Sequence, residues 1–433
     1  MSEHTSTDLP LNGHAVDFLP WPPTPFTWSM FQAGWEDAVR RLANLLGEAP
    51  TLPVWSLDRG RVREEGAFWR ALASHLQHGG PLAAQVLGVS PDGWVSPERK
   101  GRGVLGWWRR RPRDIWQVHG ADVEEQVREV QRWTRAVRDA RWSQADVLQV
   151  MEEIAPRLGQ TLRAWVVTSL ALADAVAAEG LDPQAWEEHV RSTEMAPRHL
   201  MEALVTLYQA LAHDEEARAR LLEPQGEPPA PLRSFLRTHF WLSTQPFEAA
   251  TPRWIDAPRP LVEHLARRVR AHRPIEAPPR PSSWSDGRIA YWLALRERVR
   301  VSIAQVVTGA RAWVLAAAQD ALEDGRLASV EEAFFLTLEE LKQMATGEWN
   351  RAEQVQPHVS SRQQMYARYG EGVPTSIPLT QAQTAVFAPG WQPGWVPVAL
   401  DARELVTTNR SSAGYGHLLA YTLQVPVREA REA

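Results

Sequence analysis

DGRIAYWLALRERVRVSIAQVVTGARAWVLAAAQDALED, residues 286–324, is the stretch whose reading decides the fold. It holds no proline and two glycines, Gly287 and Gly309. Ile289, Trp292, Leu295, Val299, Ile303, Val306, Val307, Ala310, Trp313, Val314 and Ala317 recur at helical spacing. The stretch therefore reads as one amphipathic helix of roughly 35 residues, about 50 Å long. Gly325 is placed to stop it, and EEAFFLTLEELK (331–342) forms a short capped unit behind it. Arg296 and Arg300 stand four apart and share a helix face. They are either solvated arginines or an anchor for a phosphate or carboxylate.

Working outward, the body repeats the same pattern. Prolines at 20, 22, 23 and 25 forbid helix until the chain has passed them, and a helix then runs from near Thr27 to Gly47. Val123 to Arg141 and Ser143 to Ala155 follow as helical blocks, the second capped by Ser143 with Asp146 three residues on. Pro156 to Ala178 is apolar nearly all round, as a buried central helix should be. Asp182 to Leu222 supplies more helix with a break near Ala196-Pro197, and GEPPAPL (226–232) is a rigid linker. The arginine- and proline-rich segment from Arg259 to Pro281 reads as a solvated linker, and no strand-like alternation appears before residue 380. The expected fold class is mainly α, a large multi-helix domain over 13–370 with a small C-terminal α/β appendage over 371–433. A disordered lead of 1–12 precedes them.

Composition narrows the functions. The chain has 433 residues and a net charge of -5, which does not mark a nucleic-acid binder. LGWWRRRPRD (105–114) sets arginines beside tryptophans, a pattern that binds phosphate or nucleic acid, but the acidic Asp114, Asp122, Glu124 and Glu125 follow and a salt-bridged turn is the plainer account. Cysteine is absent, which excludes disulfides, thiolate metal sites and cysteine nucleophiles. Without a signal pattern or an uninterrupted apolar run of membrane-spanning length, the chain reads as soluble and cytoplasmic, with no membrane or nucleic-acid partner and no metal site. The 21 tryptophans either fill a large helical core or line an apolar ligand pocket.

Four stretches, in order, resemble the PEP-utilizing phosphotransferases, in particular the rifampin phosphotransferase and phosphoenolpyruvate synthase type. Thr24-Pro25 and Thr27-Trp28-Ser29 match the entry to the family's central domain. Arg296-Glu297 with Arg300, followed by GRLASVEEAFFLTLEEL, is similar to its central helix, where an Arg-Glu-x-x-Lys pattern faces the transferred phosphoryl group. Phe235 to Pro252-Arg253-Trp254 keeps the frame of a loop of the form F-L-x-R-Y-G-H-R-G-x-G-E-x-D, ending in P-R-W. Inside that frame Phe240 stands for the glycine, Trp241 for the histidine, Leu242 for the arginine and Pro246 for the glutamate. Pro393-Gly394-Trp395-Val396-Pro397 and the run to Val425-Pro426 resemble the swivelling phosphohistidine domain, here shortened. Counted without a gap, its carrier histidine falls on Tyr415, and only a two-residue slip brings His417 into that position.

Phosphoryl transfer is mostly positioning and electrostatic stabilisation. Leucine and proline in place of an arginine and a glutamate remove the electrostatics, and tyrosine, with a pKa near 10, is a poor carrier. Two readings follow from the resemblance. One is a non-catalytic homologue that binds a small, largely apolar molecule or acts as a scaffold. Its pocket candidates are Trp28, Trp241, Leu242 and Trp292, its anion anchors are Arg296 and Arg300, and it needs no cofactor. The other is one half of a split phosphotransferase whose ATP-grasp domain is a separate polypeptide supplying ATP and magnesium, with His417 as carrier.

Overall fold

The computed structural model describes residues 18–19, 23–46, 53–58, 61–76, 78–87, 113–193, 196–223, 226–243, 245–272, 274–275 and 287–371, with the strands at 395–397 and 424–426. Among the described residues the fold is mainly α. In chain order the helices are α1 (Pro25–Leu46), α2 (Gly66–Ala73), α3 (Pro81–Val86), α4 (Arg113–Arg138), α5 (Gln144–Glu179), α6 (Pro183–Ser192) and α7 (Ala196–His213). They continue as α8 (Glu215–Leu222), α9 (Ala230–Thr238), α10 (Arg259–Arg270), α11 (Gly287–Glu323), α12 (Leu338–Ala345) and α13 (Ala352–Glu371). A 3-10 turn, Val330–Phe335, lies between α11 and α12.

The decisive stretch is α11, 37 residues long, and Gly325 behind it takes the left-handed backbone (φ 78°) that a helix stop requires. It is not amphipathic as expected. Ile289, Ala290, Val299, Ser302, Gln305, Thr308 and Gly309 are all buried, and together they face every side of the helix. It packs along α5, which in turn packs along α1, while α4 lies against both α5 and α11. The Trp313 indole N–H donates to the Val147 carbonyl at 2.8 Å and ties α11 to the start of α5.

Three further expectations need correction. The blocks on either side of Pro156 are one helix of 36 residues, opened by the Ser143–Asp146 capping box. Pro156 is exposed, so the hydrogen bond it cannot donate leaves a carbonyl facing water, and the helix runs on. The segment after Arg259 begins as α10, not as a linker, because Leu261, Leu265, Ala266 and Val269 give it a buried face. Two four-residue strands, β1 (Trp55–Asp58) and β2 (Arg61–Glu64), pair antiparallel with Trp55 opposite Glu64. They are too short to show alternation, and Trp55 seats them by packing on Phe18, Phe31 and Trp35.

By length and composition α5 and α11 could each cross a membrane, contrary to the sequence expectation. However, 83% and 78% of their most apolar windows is buried inside the protein, which is the setting of core helices. At the C-terminal end β3 (Trp395–Pro397) pairs antiparallel with β4 (Gln424–Pro426). The rest of the 371–433 appendage and the 1–12 lead lie outside the described residues.

Close approach sets the α4–α11 crossing. A Cβ added at Gly309 would lie 2.6 Å from the Trp133 ring, which is itself held by its N–H on Glu153 at 2.6 Å. Alanine at this position gains about 1 kcal/mol of helix propensity but overpacks a fixed ring, a cost of about 1–3 kcal/mol. Gly309→Ala is therefore expected to lower the urea midpoint, and a midpoint at or above wild type would refute this account of the crossing.

Candidate functional site

Arg296 and Arg300 are not solvated. They sit in the interior at 6% and 1% exposure, with Glu297 between them fully buried. The Arg296 Nε lies 3.8 Å from a Glu297 oxygen, and its guanidinium lies over the Trp165 ring of α5 at 5.0 Å. The Arg300 guanidinium lies over Phe18 at 5.3 Å and Phe247 at 5.7 Å. Those rings are themselves joined, Phe18 packing edge-on to Trp165 at 5.2 Å and to Phe247 at 4.8 Å. Two cations of α11, one turn apart, thus rest on one aromatic platform, built from α5, the chain ahead of α1 and the loop before Trp254. A desolvated cation–π contact contributes up to about 2 kcal/mol, which offsets part of the cost of burial.

The loop from His239 to Trp254 crosses from α9 toward α1 and α11, and its polar groups work inward. The Glu248 carboxylate accepts from the Thr24 hydroxyl (2.7 Å), the Thr27 hydroxyl (2.6 Å), the Ala250 N–H (2.9 Å) and the Thr24 N–H (3.0 Å). It therefore clasps the first turn of α1. Arg253 is 1% exposed and donates to Thr308 Oγ1 on α11 at 2.9 Å and to Ser243 Oγ at 3.3 Å. It also donates to the carbonyls of Pro246, Glu248 and Thr251. Burial, reinforced by the Arg311 charge, pushes its pKa down to about 9, so it remains charged at neutral pH. Arg311 donates to the carbonyls of Ala249 and Ala250, both at 2.9 Å.

The sequence reading missed both Glu248 and Arg253 as organising residues. The signal for the first was present, since the x-D that follows the glutamate in the loop pattern falls on Glu248, two residues past Pro246. The polar character of the loop is therefore not wholly lost, as expected above. It is kept in groups that hold the loop in place.

The pocket candidates are core residues. Trp241, Leu242 and Trp292 are 4%, 1% and 2% exposed, and Trp28 packs partly buried against the same core. The Leu242 carbonyl accepts from the Trp254 N–H at 2.9 Å, so the segment that carries Trp241 and Leu242 is tied to the end of the loop. Among the described residues nine tryptophans are buried and four more pack against the core. Tyr415 and His417 lie outside the described residues. No group of three or more metal-ligating side chains occurs among the described residues.

His239 follows α9, its ring 4.7 Å from that of Phe235, and burial pushes its pKa down to about 4. It is neutral at pH 7 and has no carboxylate placed to activate it among the described contacts.

Neither protein-family models nor curated proteins yield a match to this chain. The site's meaning therefore rests on its own geometry.

Two outcomes follow. Glu248→Gln keeps the shape of the side chain but sets an NH2 against donors from Thr24, so a loss of about 1–3 kcal/mol is expected in urea unfolding. An unchanged midpoint would show that the clasp does not hold α1. For His239 the folded pKa is depressed below the unfolded value, so the unfolded state takes up the proton first as pH falls. Stability from the neutral ring is complete above about pH 6.5 and lost on the way down to about 4, of order 1–3 kcal/mol in all. His239→Gln should flatten stability against pH in that window, and an equally steep decline in the variant would assign the acid sensitivity elsewhere.

Proposed function

We propose that this chain is a non-catalytic homologue of the PEP-utilizing phosphotransferases that acts as a binding or scaffold subunit. The observation that carries this reading is the interior position of Arg296, Glu297 and Arg300. Solvated arginines would tolerate free exchange, whereas these two lie in the interior on a platform contributed by three other parts of the chain. Burying two guanidinium groups carries a desolvation cost that a solvent-facing pair would not meet, which is what singles the position out. Arginine on an aromatic face is also a recurrent arrangement for holding a carboxylate or phosphate, since the ring holds the guanidinium plane while its N–H fork points to the anion.

The loop supports the absence of phosphoryl transfer. At the positions where the resemblance sets a histidine and an arginine, Trp241 and Leu242 are core side chains, and the charged groups that remain are engaged with backbone and hydroxyl partners. Those groups are committed to holding the loop in place. What such a fold offers is a rigid helical surface and an arginine-anchored interior.

The test is purification of the tagged full chain from its own cells, followed by native mass spectrometry and by incubation with labelled phosphoenolpyruvate or ATP. The expected result is a chain with no acid-labile label, with or without a bound small molecule, and no stoichiometric ATP-grasp protein. Acid-labile label that disappears in His417→Ala would overturn the proposal in favour of a split phosphotransferase.

A further inference from the structure

A cleft of about 300 Å³ opens between α1, α4 and α5, lined by Arg41, Asn44, Leu45, Gln126, Gln160 and Arg163. Its chemistry is one-sided: two guanidinium groups, three primary amides and one leucine, with no carboxylate in the lining. Arg163 is the unusual member. It interrupts a run of buried residues in α5, with Thr161, Leu162, Ala164, Trp165 and Val166 all buried around it. It makes no hydrogen bond or ion pair among the described residues. Arg41 is held through its Nε by Asp37 on the same helix, and Asp37 also bonds Arg40. The Gln126 side-chain oxygen is buried with no hydrogen-bond partner among the described residues. A half-turn of that amide presents its NH2 instead, an assignment that only the occupant of the site would fix.

The charges agree with the geometry. Burial lowers the Arg163 pKa, Asp122 raises it, and the nearby Arg41 lowers it again, so the two guanidinium groups act on each other across the cleft. An anion between them would remove that repulsion. Two forked guanidiniums plus amide donors exceed what the two oxygens of a carboxylate can accept, but they suit the three terminal oxygens of a phosphate. The volume is at the low end for ligand sites, which limits the rest of the ligand to a small body resting on Leu45.

We propose that this cleft binds a small phosphomonoester, with its phosphate between Arg41 and Arg163 and its apolar end against Leu45. The site is separate from the arginine pair of α11. Trp165, which faces Arg296, is two residues from Arg163, and two residues turn an α-helix by about 200°.

The experiment is isothermal titration of the full chain at low salt with inorganic phosphate and with phenyl phosphate. One-to-one binding is expected, tighter for phenyl phosphate because of the Leu45 contact. Arg163→Met should weaken phenyl phosphate at least 10-fold while leaving the melting temperature of the free protein unchanged or higher, since a desolvated, repelled charge is removed. Leu45→Trp, which fills the cleft while keeping both arginines, should abolish phenyl phosphate binding and serves where Arg163→Met does not fold. Inorganic phosphate binding equal to phenyl phosphate would overturn the placement of the apolar end. No binding to wild type, or equal binding in wild type and both variants, would overturn the site.

Discussion

A guanidinium inside a helical bundle is tolerated only where its donors are answered, and Arg253 is where that requirement organises this molecule. Its donors reach a hydroxyl on α11, a hydroxyl at the loop's own start and three carbonyls along the loop. The loop cannot adopt another path without leaving a buried charge uncompensated, a cost of several kcal/mol. Glu248 extends the same logic to α1 by taking four hydrogen bonds at that helix's entry. One short segment thereby fixes α1 and α11 relative to each other, although the two lie far apart in sequence.

The long helices supply the frame on which this clasp acts. α5 and α11 are buried over most of their central turns, where few positions can accept a polar group without a partner. That is why their few charged residues carry information. Arg296 and Arg300 are accommodated by aromatic faces, whereas Arg163 opens onto a cleft shared with Arg41. The same residue type, on the same pair of helices, is thus sealed against rings at one place and presented to a cavity at the other.

The phosphotransferase resemblance and the geometry bear on different parts of the chain. The resemblance is carried by residue identities in four stretches, and its two carrier positions, Tyr415 and His417, lie outside the described residues. The geometry concerns the helical body, where Trp241 and Leu242 of the loop are buried in the core. There Glu248, Arg253 and Arg311 hold the backbone path of the loop.

Much of the helical fold was legible in the residues. Period and punctuation are local properties, so the extent of α11, the stop at Gly325, the Ser143 cap and the buried character of the 156–178 run all follow from neighbours in the chain. Where local rules misled, a distant contact had decided the matter. Pro156 continues a helix because it sits on an exposed face, where the Glu152 carbonyl that loses its donor can be solvated, α10 forms because a groove exists to bury Leu261 and Leu265, and the hairpin persists because Trp55 has Phe31 and Trp35 to pack on. By itself the sequence determined the mainly α body and the spacing that puts Arg296 and Arg300 on one face. Only the tertiary structure decided that this face points inward, that Trp241 and Leu242 are buried, and that Arg41 and Arg163 line one cleft. Burial and charge proximity depend on which helices touch, and no local pattern specifies that.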